Sequence, residues 1–79
     1  MSEITLYGAE WCADCRRSKS LLNDRGVEYT YVDLEAQPDA VEVVLERNEG
    51  RRVIPTIVFS DGTHLAEPSD RELSEKLGF

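Results

Sequence analysis

Two cysteines separated by two residues are the part of this sequence best suited to chemistry. Cys12 and Cys15 are the only cysteines in the chain, and a strand-like run precedes them while a helix-like run follows. A disulfide between them would close so short a loop that it would restrain little of the unfolded chain, because loop-closure stabilisation grows with loop length. We therefore expect a reactive dithiol rather than a structural disulfide.

The expected start of a helix between the two cysteines gives them different roles. The thiolate is the nucleophile in disulfide exchange. Unpaired backbone N–H groups and the positive end of the helix dipole favour a thiolate at Cys12. Cys15 lies one helical turn later, so its side chain should face inward. The sequence predicts that Cys12 attacks a disulfide and that Cys15 resolves the mixed disulfide; the alternative for Cys15 is a packed core thiol.

Four neighbouring residues should tune the dithiol. Trp11 is interpreted as a flat apolar wall beside the sulfur, with a plain core tryptophan as the alternative. Arg16 and Arg17 can favour the thiolate or attract anionic substrates, or they are simply solvated. Asp14 lies in the first helical turn, where its charge favours the helix but disfavours a neighbouring thiolate. We expect Asp14 to make the couple more reducing; the alternative is that it only caps the helix.

A second motif, Arg-Arg-Val-Ile-Pro-Thr at 51–56, precedes a strand. A cis Ile54–Pro55 bond would bring the preceding backbone beside the sulfur, where an extended substrate could pair with it as an added strand. From local sequence alone trans is the commoner form of an X–Pro bond, and the nearby dithiol and the family resemblance given below favour cis. In the cis form Arg52, Ile54 and Pro55 are expected to contact the substrate. His64 is the only histidine, and we expect a surface strand residue and no metal site.

The elements that must position these residues follow from hydrophobic periodicity and turn signals. Strands are predicted at 4–8, 27–34, 56–60 and 63–66, and helices at 13–25, from Pro38 to about 48–50, and from 68–70 onward. A helical crossover makes the first two strands parallel, while a two-residue Asp61-Gly62 turn makes the last two an antiparallel hairpin. The order β-α-β-α-β-β-α predicts an α/β fold: a four-stranded mixed sheet with three helices covering both faces.

Length and charge narrow the class of protein. With 79 residues the chain is expected to be a single domain spanning 1–79. A formal charge of −7 argues against nucleic-acid binding. The apolar runs are far shorter than the roughly 20 residues that span a bilayer, so no membrane partner is expected. Met1-Ser2-Glu3 lacks the features of a signal peptide. We expect a cytoplasmic monomer.

Together these residues resemble the glutaredoxin family of the thioredoxin fold. The resemblance rests on Trp-Cys-x-x-Cys, Val-Asp at 32–33, Arg-x-Ile-Pro-Thr at 52–56, Asp-Gly at 61–62 and Ser-Asp at 69–70. It implies a thiol–disulfide oxidoreductase that binds no cofactor and uses a low-molecular-weight thiol as co-substrate. Its partners would be protein disulfides, mixed disulfides and a thiol or flavoprotein reductase system. Ser69 and Asp70, at the start of the last helix, would bind polar groups of the substrate.

Within that family, Asp-Gly-Thr-His followed by Pro-Ser is most similar to the actinobacterial mycoredoxins, which reduce mixed disulfides formed with mycothiol. Three departures from common glutaredoxins bear on the thiol. Ala13-Asp14 replaces Pro-Tyr between the cysteines, Ala9 stands where many have Lys, and Ala66-Glu67 replaces Gly-Gly. Glutathione carries two carboxylates, which Glu67 should repel, so mycothiol is the expected co-substrate.

Three alternatives remain open from the sequence. One is a thioredoxin-like electron donor that a flavoprotein reductase reduces directly. Another is an iron–sulfur carrier, in which two copies of Cys12 and two thiol cofactors hold a cluster. The third is an interaction module without catalysis. Loss of activity in Cys12→Ser, with part of it kept in Cys15→Ser, would count against the third.

Overall fold

The computed structural model describes residues 4–79 and has the predicted order of elements. Its strands are β1 (Thr5–Gly8), β2 (Thr30–Asp33), β3 (Thr56–Val58) and β4 (His64–Ala66), and its helices are α1 (Ala13–Asp24), α2 (Val41–Arg47) and α3 (Asp70–Leu77). The interpretation of Met1-Ser2-Glu3 lies outside the described residues. Within 4–79, none of the helices is long and apolar enough to cross a membrane.

The four strands form one mixed sheet in the order β2-β1-β3-β4. β1 runs parallel to β2, with Leu6 opposite Tyr31, and antiparallel to β3, with Leu6 opposite Ile57. Strand side chains alternate between faces, so these three residues share one face. The main core cluster lies on that face and contains Leu6, Leu22, Ile57, Phe59 and Leu73.

The helices cover both faces of the sheet, as predicted. α1 and α3 supply Leu22 and Leu73 to the core on the Leu6 face. α2 ends on the opposite face, because Asn48 Nδ2 donates a 3.0 Å hydrogen bond to Oγ1 of Thr56, the strand neighbour of Ile57. The sheet therefore lies between α2 and the α1/α3 pair.

The second strand is shorter than the predicted 27–34, because the end of α1 uses the first of those residues. Gly26, at φ +70°, donates to Asn23 O at 3.1 Å, and Val27 donates to Leu22 O at 2.9 Å. These two bonds form a Schellman cap, which satisfies carbonyls at the helix end. With Val27 in the cap, β2 begins only at Thr30.

The hairpin loop and the start of the second helix also differ from the prediction. The hairpin loop has three residues, Ser60 to Gly62, because Phe59 N–H donates to Thr63 O at 2.8 Å and closes the ladder outside them. Gly62 takes φ +87° in that loop, a position suited to glycine. Pro38 opens a short 3-10 turn, Pro38–Ala40, and the α-helix itself starts at Val41.

Gly8 allows α1 to lie against β1 at the position of the dithiol. A β-carbon built at Gly8 would lie 2.6 Å from the Sγ of Cys15 and 3.2 Å from its Cβ. The first distance is well inside van der Waals contact. Any larger residue at position 8 would therefore push the helix or the sulfur away from the sheet.

We expect Gly8→Ala to lower the free energy of unfolding of the reduced protein by about 1–3 kcal/mol, the usual cost of overpacking a core. Urea denaturation followed by circular dichroism measures this loss. In a Cys15→Ala background the sulfur is gone, so the same substitution should cost less than half as much. An equal penalty in both backgrounds would show that the sulfur is not the obstacle.

Candidate active site

The sulfur of Cys12 caps the first helix. Cys12 has an extended backbone, φ −82° and ψ 115°, and its Sγ accepts a hydrogen bond from the backbone N–H of Cys15 at 3.2 Å. Helix starts leave backbone donors without intrahelical partners, and hydrogen bonds to an ionised acceptor are stronger than those to a neutral one. The Cys12 sulfur is therefore held against a backbone donor at the start of α1.

Cys15 is placed in the opposite environment. Its side chain is fully buried, with 0% exposure, against 8% for Cys12, and both thiols are free. Burial raises the pKa of the Cys15 thiol to about 12, and the adjacent Cys12 sulfur adds to the rise, while the Ala9 backbone and the Lys19 ammonium oppose it. At neutral pH Cys15 is therefore a protonated thiol.

A cleft of about 410 Å³ opens beside Cys12. One wall is the segment 11–14, and the other is the segment 52–54, which ends at a cis Ile54–Pro55 bond. The fold thus brings together two sequence motifs that lie about forty residues apart. Of the predicted substrate contacts, Trp11, Arg52 and Ile54 line this cleft, whereas Pro55 is buried behind it.

Trp11 is a surface residue and not a core tryptophan. It is 63% exposed, and its indole Nε1 donates a 2.7 Å hydrogen bond to Oε2 of Glu35. This bond fixes one edge of the ring to the loop after β2. The ring is therefore available as the apolar wall that the sequence predicts.

Hydrogen bonds from neighbouring elements hold the second wall of the cleft. Thr56 Oγ1 donates to Val53 O at 2.6 Å and in turn accepts from Asn48 Nδ2 at 3.0 Å. The backbone N–H of Glu67 donates to Pro55 O at 2.8 Å. These bonds connect the loop to α2 and to the segment after β4.

Glu67 also lines the cleft, and its place there depends on its backbone conformation. It adopts φ +49°, an uncommon angle for a residue with a side chain. Sequence reasoning singled out its charge but gave it no place among the site residues. The sequence did contain a signal for this conformation, because Ala66-Glu67 stands where the family that the chain resembles often has Gly-Gly. Glycine at such a position indicates a left-handed backbone.

Arg17 links the starts of α1 and α3. Its guanidinium lies 3.2 Å from Asp14 Oδ1 and 3.3 Å from Asp70 Oδ1, and it donates to Pro68 O at 3.4 Å. Asp14 thus has a cationic partner, which offsets part of its charge beside the cleft. The same pairing uses a carboxylate oxygen of Asp70, a predicted substrate contact.

The structure does not bring Ser69, Asp70 or Arg16 into the cleft. Ser69 Oγ accepts from the backbone N–H of Glu72 at 3.1 Å, and Glu72 Oε1 accepts from the Ser69 N–H at 2.9 Å, which is a capping box for α3. Arg16 is exposed, with its Nη1 3.4 Å from Glu10 O. A role for Ser69 and Asp70 in substrate binding, and for Arg16 in tuning the dithiol, stays a prediction.

Within residues 4–79, no group of three or more His, Cys, Asp or Glu side chains is arranged to hold a metal ion. His64 lies in β4 and is partly buried.

The sequence over residues 4–65 matches the family model for glutaredoxin. The chain belongs to the glutaredoxin family. This glutaredoxin is 38% identical over 77 residues to mycoredoxin 1 of Corynebacterium glutamicum, covering 98% of this chain and 95% of the relative. It is 39% identical over 74 residues to a putative glutaredoxin of Mycobacterium tuberculosis, covering 94% and 88%.

Solved structures agree with this assignment. Methanoredoxin of Methanosarcina acetivorans superposes with a TM-score of 0.84 at 30% identity, covering 96% of this glutaredoxin and 84% of that chain. A glutaredoxin of Methanosarcina mazei gives a TM-score of 0.82, also at 30% identity, covering 99% and 80%. The thioredoxin-like fold is therefore confirmed, and the protein is a thiol–disulfide oxidoreductase.

The contrast between the two thiols predicts selective alkylation. In the native reduced protein, iodoacetamide should modify Cys12 more than about a hundredfold faster than Cys15, because a buried thiol with a raised pKa offers almost no thiolate. Tandem mass spectrometry of the peptide that contains both residues measures the ratio. Denaturation in urea should make the two rates similar. Comparable rates in the native state would contradict the burial of Cys15.

Proposed function

We propose that this glutaredoxin reduces mixed disulfides between proteins and a low-molecular-weight thiol. The observation that carries the proposal is the position of the Cys12 sulfur, which caps α1 and also faces the cleft. In the first step the Cys12 thiolate bonds to the sulfur of the small thiol. The disulfide bond between that sulfur and the protein's cysteine sulfur breaks, and the protein thiolate leaves and takes a proton from solvent.

The cycle then closes by one of two routes. In the dithiol route, Cys15 attacks the Cys12 sulfur, so that the small thiol departs and an intramolecular disulfide forms. In the monothiol route, a second molecule of the small thiol attacks instead. The position of Cys15 supports the dithiol route, because Cys15 lies one helical turn from Cys12 and its backbone N–H already contacts the Cys12 sulfur.

The charges of the cleft favour mycothiol over glutathione. Asp14 and Glu67 supply two carboxylates to its lining, and Arg52 supplies one cation. Glutathione would bring two further carboxylates, whereas mycothiol, a cysteinyl sugar thiol, is neutral there. The 38% identity to mycoredoxin 1 supports the same choice. Each surface charge pair contributes at most about 1 kcal/mol, so the preference should be graded rather than absolute.

A side-by-side assay tests the co-substrate. One model protein carries either glutathione or mycothiol as a mixed disulfide, and each reaction is coupled to the matching thiol and its reductase. We expect the mycothiol adduct to be reduced roughly three- to tenfold faster, the ratio that about 1 kcal/mol produces. Equal rates would contradict the preference. Efficient reduction of this protein by thioredoxin reductase alone would instead favour the thioredoxin-like alternative.

Cysteine variants in the same assay test the roles of the two thiols. Cys12→Ser should abolish reduction of both adducts, since it removes the nucleophile. Cys15→Ser should retain the monothiol route. If Cys12→Ser stayed active, the proposed chemistry would be wrong.

Glu67→Gln should change the thiol preference without changing the chemistry. It removes one carboxylate at nearly constant size, so reduction of the glutathione adduct should rise about two- to fivefold while the mycothiol rate stays nearly constant. Glu49→Gln is a matched control, because Glu49 also has a positive φ, 56°, and does not line the active-site cleft. A similar rise in both variants would show a general charge effect and no role for position 67.

We expect Asp14→Asn to raise the reduction potential by about 10–20 mV, which corresponds to the loss of one exposed charge interaction. Without the carboxylate the reduced form with a Cys12 thiolate is more stable, so the disulfide is easier to reduce. Equilibration with a dithiothreitol redox buffer measures the potential. Asp24→Asn, at the far end of α1, is the control. A lower potential in Asp14→Asn would reverse the proposed sign.

A further inference from the structure

Lys19 is a mostly buried cation on the inner side of α1. It follows Cys15 by four residues, so the two side chains share one face of the helix. Its Nζ lies 3.8 Å from the centre of the Tyr31 ring and 3.4 Å from Oε2 of Glu10, and its side chain is only 19% exposed. A cation over an aromatic face is attracted to the ring. The ammonium is thus held from two sides.

The sheet register places acidic and hydroxyl groups beneath the same face of α1. Tyr31 and Asp33 of β2 pair with Leu6 and Gly8 of β1, and Gly8 touches the Cys15 sulfur. Among residues 4–79, the Tyr31 hydroxyl is buried with no hydrogen bond of ordinary geometry. Burial raises the pKa of Tyr31, and the neighbouring carboxylates of Glu10 and Asp33 raise it further.

Besides the hydroxyl of Tyr31 in β2, a second buried hydroxyl is that of Ser18 in α1. Its Oγ has no hydrogen-bond partner within the described residues, and the side chain is 0% exposed. The titratable groups that act on Cys15 from α1 and its cap are Lys19 and Cys12. Lys19 is the one whose charge favours a thiolate at Cys15.

The resolving step needs such a charge. Cys15 must lose its proton before it can attack, and with a pKa of about 12 only roughly one molecule in 10⁵ is ionised at neutral pH. Lys19, one helical turn from Cys15, is a cation that lowers the pKa of the Cys15 thiol, because a nearby opposite charge favours the ionised form of a group. Without the ammonium, the thiolate would be rarer still.

We propose that Lys19, held in place by Glu10 and the Tyr31 ring, is a positioning residue that stabilises the Cys15 thiolate for the resolving step. The inference rests on the proposed function, in which Cys15 attacks the Cys12 sulfur. In that step the Cys15–Cys12 bond forms and the bond from Cys12 to the small thiol breaks. Cys15 releases one proton to solvent and the departing thiolate takes one up, and the mixed disulfide supplies the oxidising equivalents.

The resolving step can be timed by mixing the reduced protein with excess dithiobis-nitrobenzoate, an aromatic disulfide whose released thiolate is coloured. The first colour phase reports attack by Cys12 and depends on reagent concentration. The second is independent of concentration and reports displacement by Cys15. We expect Lys19→Met to slow the second phase about tenfold, the effect of one pKa unit, and to leave the first within twofold.

The pH profile separates a charge effect from a packing effect. The logarithm of the second-phase rate should rise with pH in both proteins. The Lys19→Met variant should reach the same second-phase rate only at a pH about one unit higher than the wild-type protein. Lys19→Gln should behave like Lys19→Met, and it serves as the second variant if Lys19→Met does not give the native circular dichroism spectrum. Lys19→Arg keeps the charge and should restore at least half of the wild-type rate.

Lys76→Met is the matched control, because Lys76 also lies over an aromatic ring, that of Phe59, and pairs with a carboxylate, that of Asp61. It should leave both phases unchanged. A second phase in folded Lys19→Met or Lys19→Gln within twofold of wild type, or Lys19→Arg as slow as Lys19→Met, would overturn the role of Lys19. A concentration-independent phase that persists in Cys15→Ser would instead overturn the dithiol route of the proposed function, in which Cys15 attacks the Cys12 sulfur.

Discussion

One contact connects the fold to the chemistry, the 3.2 Å approach of the Cys15 backbone N–H to the Cys12 sulfur. The same sulfur atom starts the helix and faces the cleft, so the reactive group is also a structural cap. A cap must lie at the helix terminus, where backbone donors are unpaired and the dipole is positive. The orientation of α1 on the sheet therefore decides where the sulfur points.

Ion pairs and hydrogen bonds hold the two walls of the cleft around that sulfur. Arg17 connects the first turn of α1 to the start of α3 through two carboxylates. On the other wall, Asn48 and Thr56 hold the loop before β3 through side-chain hydrogen bonds. Because these bonds involve helices on opposite faces of the sheet, contacts from several elements of the domain hold the two motifs that form the cleft.

Local signals in the sequence were enough to predict the order of the elements and the cap position of Cys12, whereas the approach of the Ile54–Pro55 loop to the dithiol was predicted only with the help of the family resemblance. They did not predict that Val27 would belong to the Schellman cap, because helix end and strand start compete for the same residue there. Nor did they show that Asp70 pairs with Arg17. That pairing depends on two helix starts meeting in space, which neither periodicity nor spacing encodes. The Lys19–Tyr31 contact was missed for the same reason, since it depends on the register of β2 beneath α1.

The glycine at position 8 has a further consequence for the reaction of the two cysteines. Even a β-carbon at Gly8 would lie 2.6 Å from the Cys15 sulfur, so β1 limits the movement of that sulfur toward the sheet. Confinement of this kind raises the effective concentration of one sulfur near the other, as in intramolecular reactions with a preset geometry. The strand thus acts as a backstop that directs the second thiol at the first.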